Sequence, residues 1–574
     1  MRLAAAVLGL MAWSAAGAEP YDSGRNGPSE LLLRAMGDEL KRTVERLRVE
    51  DLAEPYFVGY GVLESYTLEL QGSFGALEGP REARTRRLEV ALHTGSRAFD
   101  DSHFVGGRGR YRSLTALLPV EDDYDALRGE IWKLTDRAYK EALERLARKT
   151  VYKETNNIRD EIPDRAEDPV ETSRDTVASA PFDRTAWEER VREISAVFRR
   201  FPEVQSSYVD LTWRAQHLYF VDSEGRSFVK PVHAFEIRLR GKAQAEDGMV
   251  QSGERELWWA SLSQVPPIEE LKARAARLAE DLTALARAPQ IETYLGPVLL
   301  EGQAAGEFFN QLLAGGLSNP RKIWVEQEWA ERYYKSGALT GRLGLRVISP
   351  LFDIVDDPTR TEFEGRSLIG HYKIDSQGIP ARRVKLVERG ILKDLLMSRS
   401  PTRERKLSNG HARGGFSAPA AAGIGNLFVT PSTTTSPEKM KRRLRSEAEA
   451  FGLDHAILIR RITPESDQED DELLSAPAQV YEVDVATGEE RLVRDARFHS
   501  VTLRALRDII AGSDRQHVYN LAREGPFRSS SAFRASIVHP SVLLSEMELT
   551  RTERKPSRLP YLSHPSFDSS KDSD

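Results

Sequence analysis

Two hydrophobic periods share this sequence without settling into a regular rhythm, and that irregularity restricts the fold more than any single motif. Apolar residues on every second position mark a strand with one buried face. The pattern occurs at Tyr66, Leu68 and Leu70, at Leu88, Val90 and Leu92, and at Phe235, Ile237 and Leu239. Steps of three and four mark helices with one buried stripe. These run through Leu33, Met36, Leu40, Val44 and Leu47, through Leu127, Ile131, Leu134, Ala138, Ala142 and Leu146, and through Ile268, Leu271, Ala275, Leu278, Leu282 and Leu285. Strands come in runs with helices interspersed and no βαβ repeat, so the expected class is α+β rather than a doubly wound sheet.

A chain of 574 residues exceeds one ordinary core. Two domains are expected, an N-terminal α+β domain over 19–288 and a strand-rich domain over 289–554. Inside the first, residues 154–184 turn polar, carry Pro163, Pro169 and Pro181, and show no apolar period. That composition reads as a linker or mobile loop. Hairpin turns are expected at Ser223-Glu224-Gly225, Glu388-Arg389-Gly390 and Ala486-Thr487-Gly488. A basic amphipathic helix carrying Met440, Leu444, Ala448 and Phe451 should end at Gly452. Residues 555–574, rich in serine, proline and charge, read as a disordered tail.

The opening MRLAAAVLGLMAWSAAGA combines Arg2, an apolar stretch over 3–13, and small residues at Ala16 and Ala18. This is the layout of a secretory signal over 1–18, which implies an exported chain, periplasmic or extracellular. Its apolar core is much shorter than the roughly 20 residues of a spanning helix, so no membrane span is expected after cleavage. The chain has no cysteine, which excludes a disulfide framework and a lipid-modified N-terminal cysteine. Lys and Arg number 82 against 88 Asp and Glu, a balance that argues against nucleic acid bound through its phosphates.

The catalytic motifs searched for are missing or ambiguous. A helical zinc site needs two histidines three to five residues apart, and none of the 11 histidines pairs in that way. There is no Gly-x-Ser-x-Gly elbow, and GRLGLR lacks the lysine of a phosphate loop. Ser408 and His411 in LSNGHARGG suit a turn better than a nucleophile and its base. Asp353, Asp356 and Asp357 beside Pro358 suit a turn better than a hard-cation site. In GPVLLEGQAAGEFFNQLLAGGL two carboxylates, Glu301 and Glu307, stand six apart and become acid-base candidates only if burial raises one of them. Glu301 also suits the start of a helix, where a negative charge meets the dipole.

The order of these segments resembles the second half of the TldD/PmbA (TldE) proteins, over roughly 290 to 550. That family's D-x-x-G-x-P turn corresponds to Asp375, Gly378 and Pro380, and its v-E-x-G-x-L-k hairpin to Glu388, Gly390 and Leu392. Its tGNaR element corresponds to Ser408, Asn409, Gly410, His411, Ala412 and Arg413, with the histidine inserted. The resemblance implies metallopeptidase ancestry. In the TldD type an HExxxH helix and a cysteine hold the metal, whereas the PmbA (TldE) type lacks them and pairs with a TldD subunit. Here the corresponding helix, AAGEFFNQLLA, has neither histidine, and its Phe308, Phe309, Leu312 and Leu313 read as a packed face. The resemblance therefore implies a metal-free partner or substrate-positioning subunit of a proteolytic complex, with no cofactor. Its partner would be a TldD-like catalytic subunit or a second copy, and its substrate a peptide or protein. Substrate-cleft candidates are His371, Asn409, His411 and Arg413. A second reading is an active peptidase whose rearranged zinc or iron site uses His371, His411 and Glu301 or Glu307. A third is a non-enzymatic envelope peptide-binding protein.

Overall fold

The computed structural model describes residues 29–562 apart from 50, 108–111, 160, 175–181, 319–320, 335–336, 417, 465–472, 526–531 and 554. The expected signal segment lies outside these residues, as does the tail from 563. The fold is α+β, built on two large sheets.

The first sheet has eight strands. Leu114–Leu118, Ala76–Thr94, Pro55–Ser73, Val204–Asp222, Ser227–Pro231 and Thr172–Arg174 follow one another in space, and Ala234–Gln244 and Val250–Trp259 extend it from Val204–Asp222. Its pairings are antiparallel except that of Thr172–Arg174 with Ser227–Pro231. Even-numbered residues of the Pro55–Ser73 strand, Val58, Tyr60, Val62, Leu68 and Leu70, belong to the cores under the helices. Helices Glu30–Arg46 and Tyr124–Thr155 cover one end, and Arg184–Ala196 and Ile268–Arg287 the other. Period two thus delivers one face to the helices and leaves the opposite face for the rest of the chain.

The second sheet has eleven strands, with the 19-residue strand Phe533–Arg551 at its centre. This strand runs antiparallel to Tyr294–Leu300 and Ile509–Arg523 and parallel to Asn426–Pro431. On one side the helical run 303–317 sits in the largest core, where Phe308, Phe309, Leu312 and Leu313 are buried as expected. On the other side helix Pro437–Ala450 buries Met440, Leu444 and Ala448. The three expected hairpins form: Arg389 and Gly390 both take positive φ, the geometry of a two-residue turn that matches strand twist. No helix among the described residues is long and apolar enough to cross a membrane.

Four expectations need correction. Helix Glu30–Arg46 buries Leu32, Ala35, Met36, Glu39 and Thr43 and exposes Val44, because Glu39 is paired with Arg128 and Thr43 meets the Tyr60 hydroxyl, so polar side chains occupy the inner stripe. Phe451 is exposed, beyond the end of its helix at Ala450. The tail from 555 is tied down at Ser557, whose N–H donates to the Gly248 carbonyl at 2.9 Å. The stretch 154–184 is no simple linker: helix Tyr124–Thr155 takes its first residues, and 162–168 runs between the two halves with Asp164, Ala166 and Asp168 buried. Acidic side chains are tolerated there because cations from both halves meet them. Lys149 reaches Asp164 at 2.7 Å and Arg321 reaches it at 3.2 Å, while Arg399 reaches Asp168 at 3.4 Å.

Candidate functional site

The helical run opens at Gly302, whose φ of +52° suits glycine, and small residues follow so that it can approach the sheet closely. A Cβ at Gly306 would lie 2.8 Å from the Tyr519 ring and 2.9 Å from His539 Nε2. Asn310–Ala314 take π-helical geometry, a rare form met mostly where a helix serves a function. One turn before it, in the α-helix Gln303–Phe309, Glu307 is buried and fully engaged. Its carboxylate accepts from the Tyr519 hydroxyl, from Asn310 Nδ2 at 3.1 Å and from Gln311 Nε2 at 2.9 Å. Burial first and the Glu307 charge second hold the Tyr519 phenol well above its usual range, which keeps it a donor. Gln303 and Gln311 fix the run to the end of strand His455–Ile462, through Ile462 and Thr463. Glu301 points elsewhere, half-buried and 3.4 Å from Arg460.

The other sequence candidates form a buckle. His411 is wholly buried: Nε2 lies 3.0 Å from Asp356 Oδ1, and Nδ1 lies 3.0 Å from the Asn409 carbonyl and 3.1 Å from Asn409 Oδ1. The Asn409 amide accepts from Met397 N and donates to the Leu395 carbonyl, both at 2.8 Å. Asp375, buried, accepts from the N–H groups of Gln377, Ile379 and Ala412, and Gly378 takes φ +79°. That geometry explains the Asp-x-x-Gly spacing, since one carboxylate closes the turn and ties it to the next segment. Arg413 stacks over Tyr372 at 4.3 Å, and His371 Nδ1 faces the Pro358 carbonyl at 2.9 Å. Lys230 of the first sheet donates to the carbonyls of Ile374 and Asp375, and burial followed by Arg413 lowers it to about 7. His411 and Asn409 are brought together, but as supports between backbone segments. This corrects the expectation that His411 lines a substrate cleft, because it has no surface for a substrate and both its ring nitrogens face protein oxygens. Neither it nor His371 meets Glu301 or Glu307 in a group of metal-ligand spacing. His411→Ala should cost about 2 to 3 kcal/mol, the value of a hydrogen bond to a charged group, measured as a fall in denaturation midpoint at unchanged slope.

Residues 293–551 match the family described as PmbA/TldA metallopeptidase C-terminal domain. A protein of Methanothermobacter thermautotrophicus described as a metalloprotease is 24% identical over 234 residues, 40% of this chain and 47% of the relative. The chain thus spans about half the length of that relative. Membership of the PmbA/TldD family is thereby supported. Two solved structures share the fold over nearly the whole length. A Thermotoga maritima protein described as a candidate modulator of a DNA gyrase has a TM-score of 0.58 at 15% identity, covering 90% of this chain and 99% of its own. TldE from Thermococcus kodakarensis has a TM-score of 0.54 at 12% identity, over 90% and 100%.

The similarity to a metallopeptidase family raises the question of whether the helix fits an ion, and its residues do not. Glu307 has three donors; His539 Nε2 is buried without a hydrogen-bond partner among the described residues, but a Cβ on Gly306 would stand 2.9 Å from it, and His517 stacks on His539 with centroids 5.8 Å apart. Burial lowers His539 to about 3. Among the described residues, groups of three donors with metal spacing occur instead in the first half, at His93, Asp100 and Asp101 and at Asp100, His103 and Asp164. Their carboxylates are already matched: Arg145 meets Asp101, Lys149 and Arg321 meet Asp164, and the Tyr56 hydroxyl donates to Asp100. Sequence reasoning passed over these residues, and the prolines at 163 and 169 bracketing Asp164-Arg165-Ala166-Glu167-Asp168 were the available signal.

Proposed function

We propose that this chain is an exported, non-catalytic member of a TldD-type proteolytic complex, a subunit that helps position a peptide or protein substrate for a catalytic partner. The observation that carries the reading is the helical run 303–317. Its polar side chains are committed to one another and to neighbouring strands, and its apolar side chains fill the core. A general acid or base needs an atom within reach of substrate, and Glu307 has none to spare. An extended peptide adds readily to a sheet edge, which gives a strand-rich half a means of holding substrate. The description of the Thermotoga maritima relative as a gyrase modulator is not carried over, because the proposed signal segment would remove the chain from DNA.

The test is elemental analysis and peptide hydrolysis by the mature chain, alone and co-expressed with a TldD-like chain that has HExxxH. The expected result is substoichiometric zinc and iron, no hydrolysis alone, and cleavage in the co-purified complex. One equivalent of zinc or iron together with cleavage by the isolated chain overturns the proposal.

A further inference from the structure

The seam between the halves forms a partly open pocket of ≈160 Å³. Phe57, Val90, Leu92 and Phe220 supply apolar wall, and Ser376, Gln377 and Ser400 from the second half close it. A cavity of about 150 Å³ accommodates a ring of six carbons, so this one has room for a molecule of about amino-acid size. Its charged lining is unusual in what it leaves unpaired. Asp101, Asp164 and Arg399 have ion partners, as described above or through Glu224 at 2.6 Å. Among the described residues the half-buried Arg165 and Glu89 make no ion pair, and neither does Arg112, which is exposed to solvent.

Arg165 is half-buried, lies with its guanidinium carbon 3.4 Å from the Phe57 ring centroid, and has no hydrogen-bond partner at Nε among the described residues. Arg399 lies 5.8 Å from the same centroid. One aromatic ring therefore carries two guanidinium groups, a favourable cation–π arrangement for each and a repulsive one between them. Loss of solvent first and Arg399 second lower Arg165 to about 10. An anion seated beside Arg165 would relieve both costs, since a charge out of water is stable only when paired. Glu89, half-buried, is held by Ser113 and the Phe416 backbone, and burial raises it above its usual range. It has donors but, among the described residues, no cation beside it. A half-buried guanidinium and a half-buried carboxylate, each without an ion pair and lining the same small pocket, suit a ligand with both complementary groups.

We propose that this cavity binds a small zwitterion of α-amino-acid size, its carboxylate taken by Arg165 and its ammonium group directed to Glu89. The proposal stands apart from the reading of the helix, and it holds whether or not the chain joins a peptidase. A free amino acid or a short peptide with both termini charged has the required chemistry.

The experiment is isothermal titration of the mature full-length chain with each L-α-amino acid, with L-alanyl-L-alanine, and with the N-acetyl and C-amide derivatives of the best ligand. Saturable binding of at least one amino acid, lost on blocking either end, is expected. Arg165→Gln and Glu89→Gln should each weaken it about tenfold or more, equivalent to about 1.4 kcal/mol, with circular dichroism showing the fold retained. If Arg165→Gln fails to fold, the blocked derivatives and Glu89→Gln decide. Tighter binding of the dipeptide supports the same site with a peptide as its source. No saturable binding of any of these probes, or equal binding of the blocked derivatives, overturns the proposal.

Discussion

Replacing Arg399 by alanine is expected to destabilise the chain by about 3 to 5 kcal/mol, the range for removing one member of a buried ion pair. Arg399 is 2% exposed and belongs to the second half, yet its partners belong to the first. Nη2 meets Glu224 at 2.6 Å and the Ala166 carbonyl at 3.1 Å, and Nε lies 3.4 Å from Asp168. Arg226 remains to serve Asp222 and Glu224, but it reaches the 168 position only at the backbone carbonyl. Asp168 Oδ2, which has no hydrogen-bond donor among the described residues, would then lose its cation. Because the main core of each half lies within that half and only small apolar clusters bridge them, the variant should also lose coincidence between near- and far-ultraviolet unfolding curves. A wild-type midpoint with coincident curves would show that the seam is not what couples the halves. The same seam sets a pH dependence. Burial alone would raise Asp164, but its hydrogen bond with His103 and the charge of Lys149 outweigh that and hold it below the ordinary carboxylate range. A depressed carboxyl contributes stability that is full above the unfolded value near ~4 and is lost as pH falls through the folded one. Stability should therefore hold down to about pH 4 and fall below it, and Asp164→Asn should flatten that acid limb.

Much of this architecture was readable from period alone. Leu88, Val90 and Leu92 or Met440, Leu444 and Ala448 need only one apolar face against one core, and a local pattern states that directly. Helix Glu30–Arg46 was harder, because Glu39 and Thr43 lie inward and are satisfied by Arg128 and Tyr60, far away in sequence. The same difficulty hid the seam. A run such as Asp164-Arg165-Ala166-Glu167-Asp168 looks solvated unless Lys149, Arg321 and Arg399 are known to converge on it. At the site, the resemblance located the helix, and the missing histidines were visible in the sequence. That His411 would be sealed against Asp356, 55 positions away, was not. Turn residues chosen for backbone geometry and residues chosen for chemistry share the same alphabet of Ser, Asn, Asp and His.

Glu307→Gln should cost about 3 kcal/mol, although in many enzymes that exchange is nearly neutral for the fold. The carboxylate accepts from three directions, and each donor is fixed in orientation. Asn310 cannot turn its amide because Oδ1 accepts from Arg523, and Gln311 cannot because Oε1 accepts from Ser475 N at 2.7 Å while Nε2 also donates to the Thr463 carbonyl at 3.0 Å. A glutamine at 307 would set its own NH2 against one of these donors. It would forfeit charge-assisted hydrogen bonds worth about 1.5 to 3 kcal/mol each and leave a buried donor unmet at a further ~1 to 3, with some of the loss recovered by relaxation. Tyr519→Phe removes one donor and leaves two, so its cost should be smaller, about 1.5 to 3 kcal/mol. The double variant should fall short of the sum, because the two groups share one hydrogen bond. Denaturant unfolding of the four proteins measures the cycle. A Glu307→Gln variant with wild-type stability, but with peptide cleavage by its complex abolished, would show that the carboxylate serves chemistry rather than the packing of this helix.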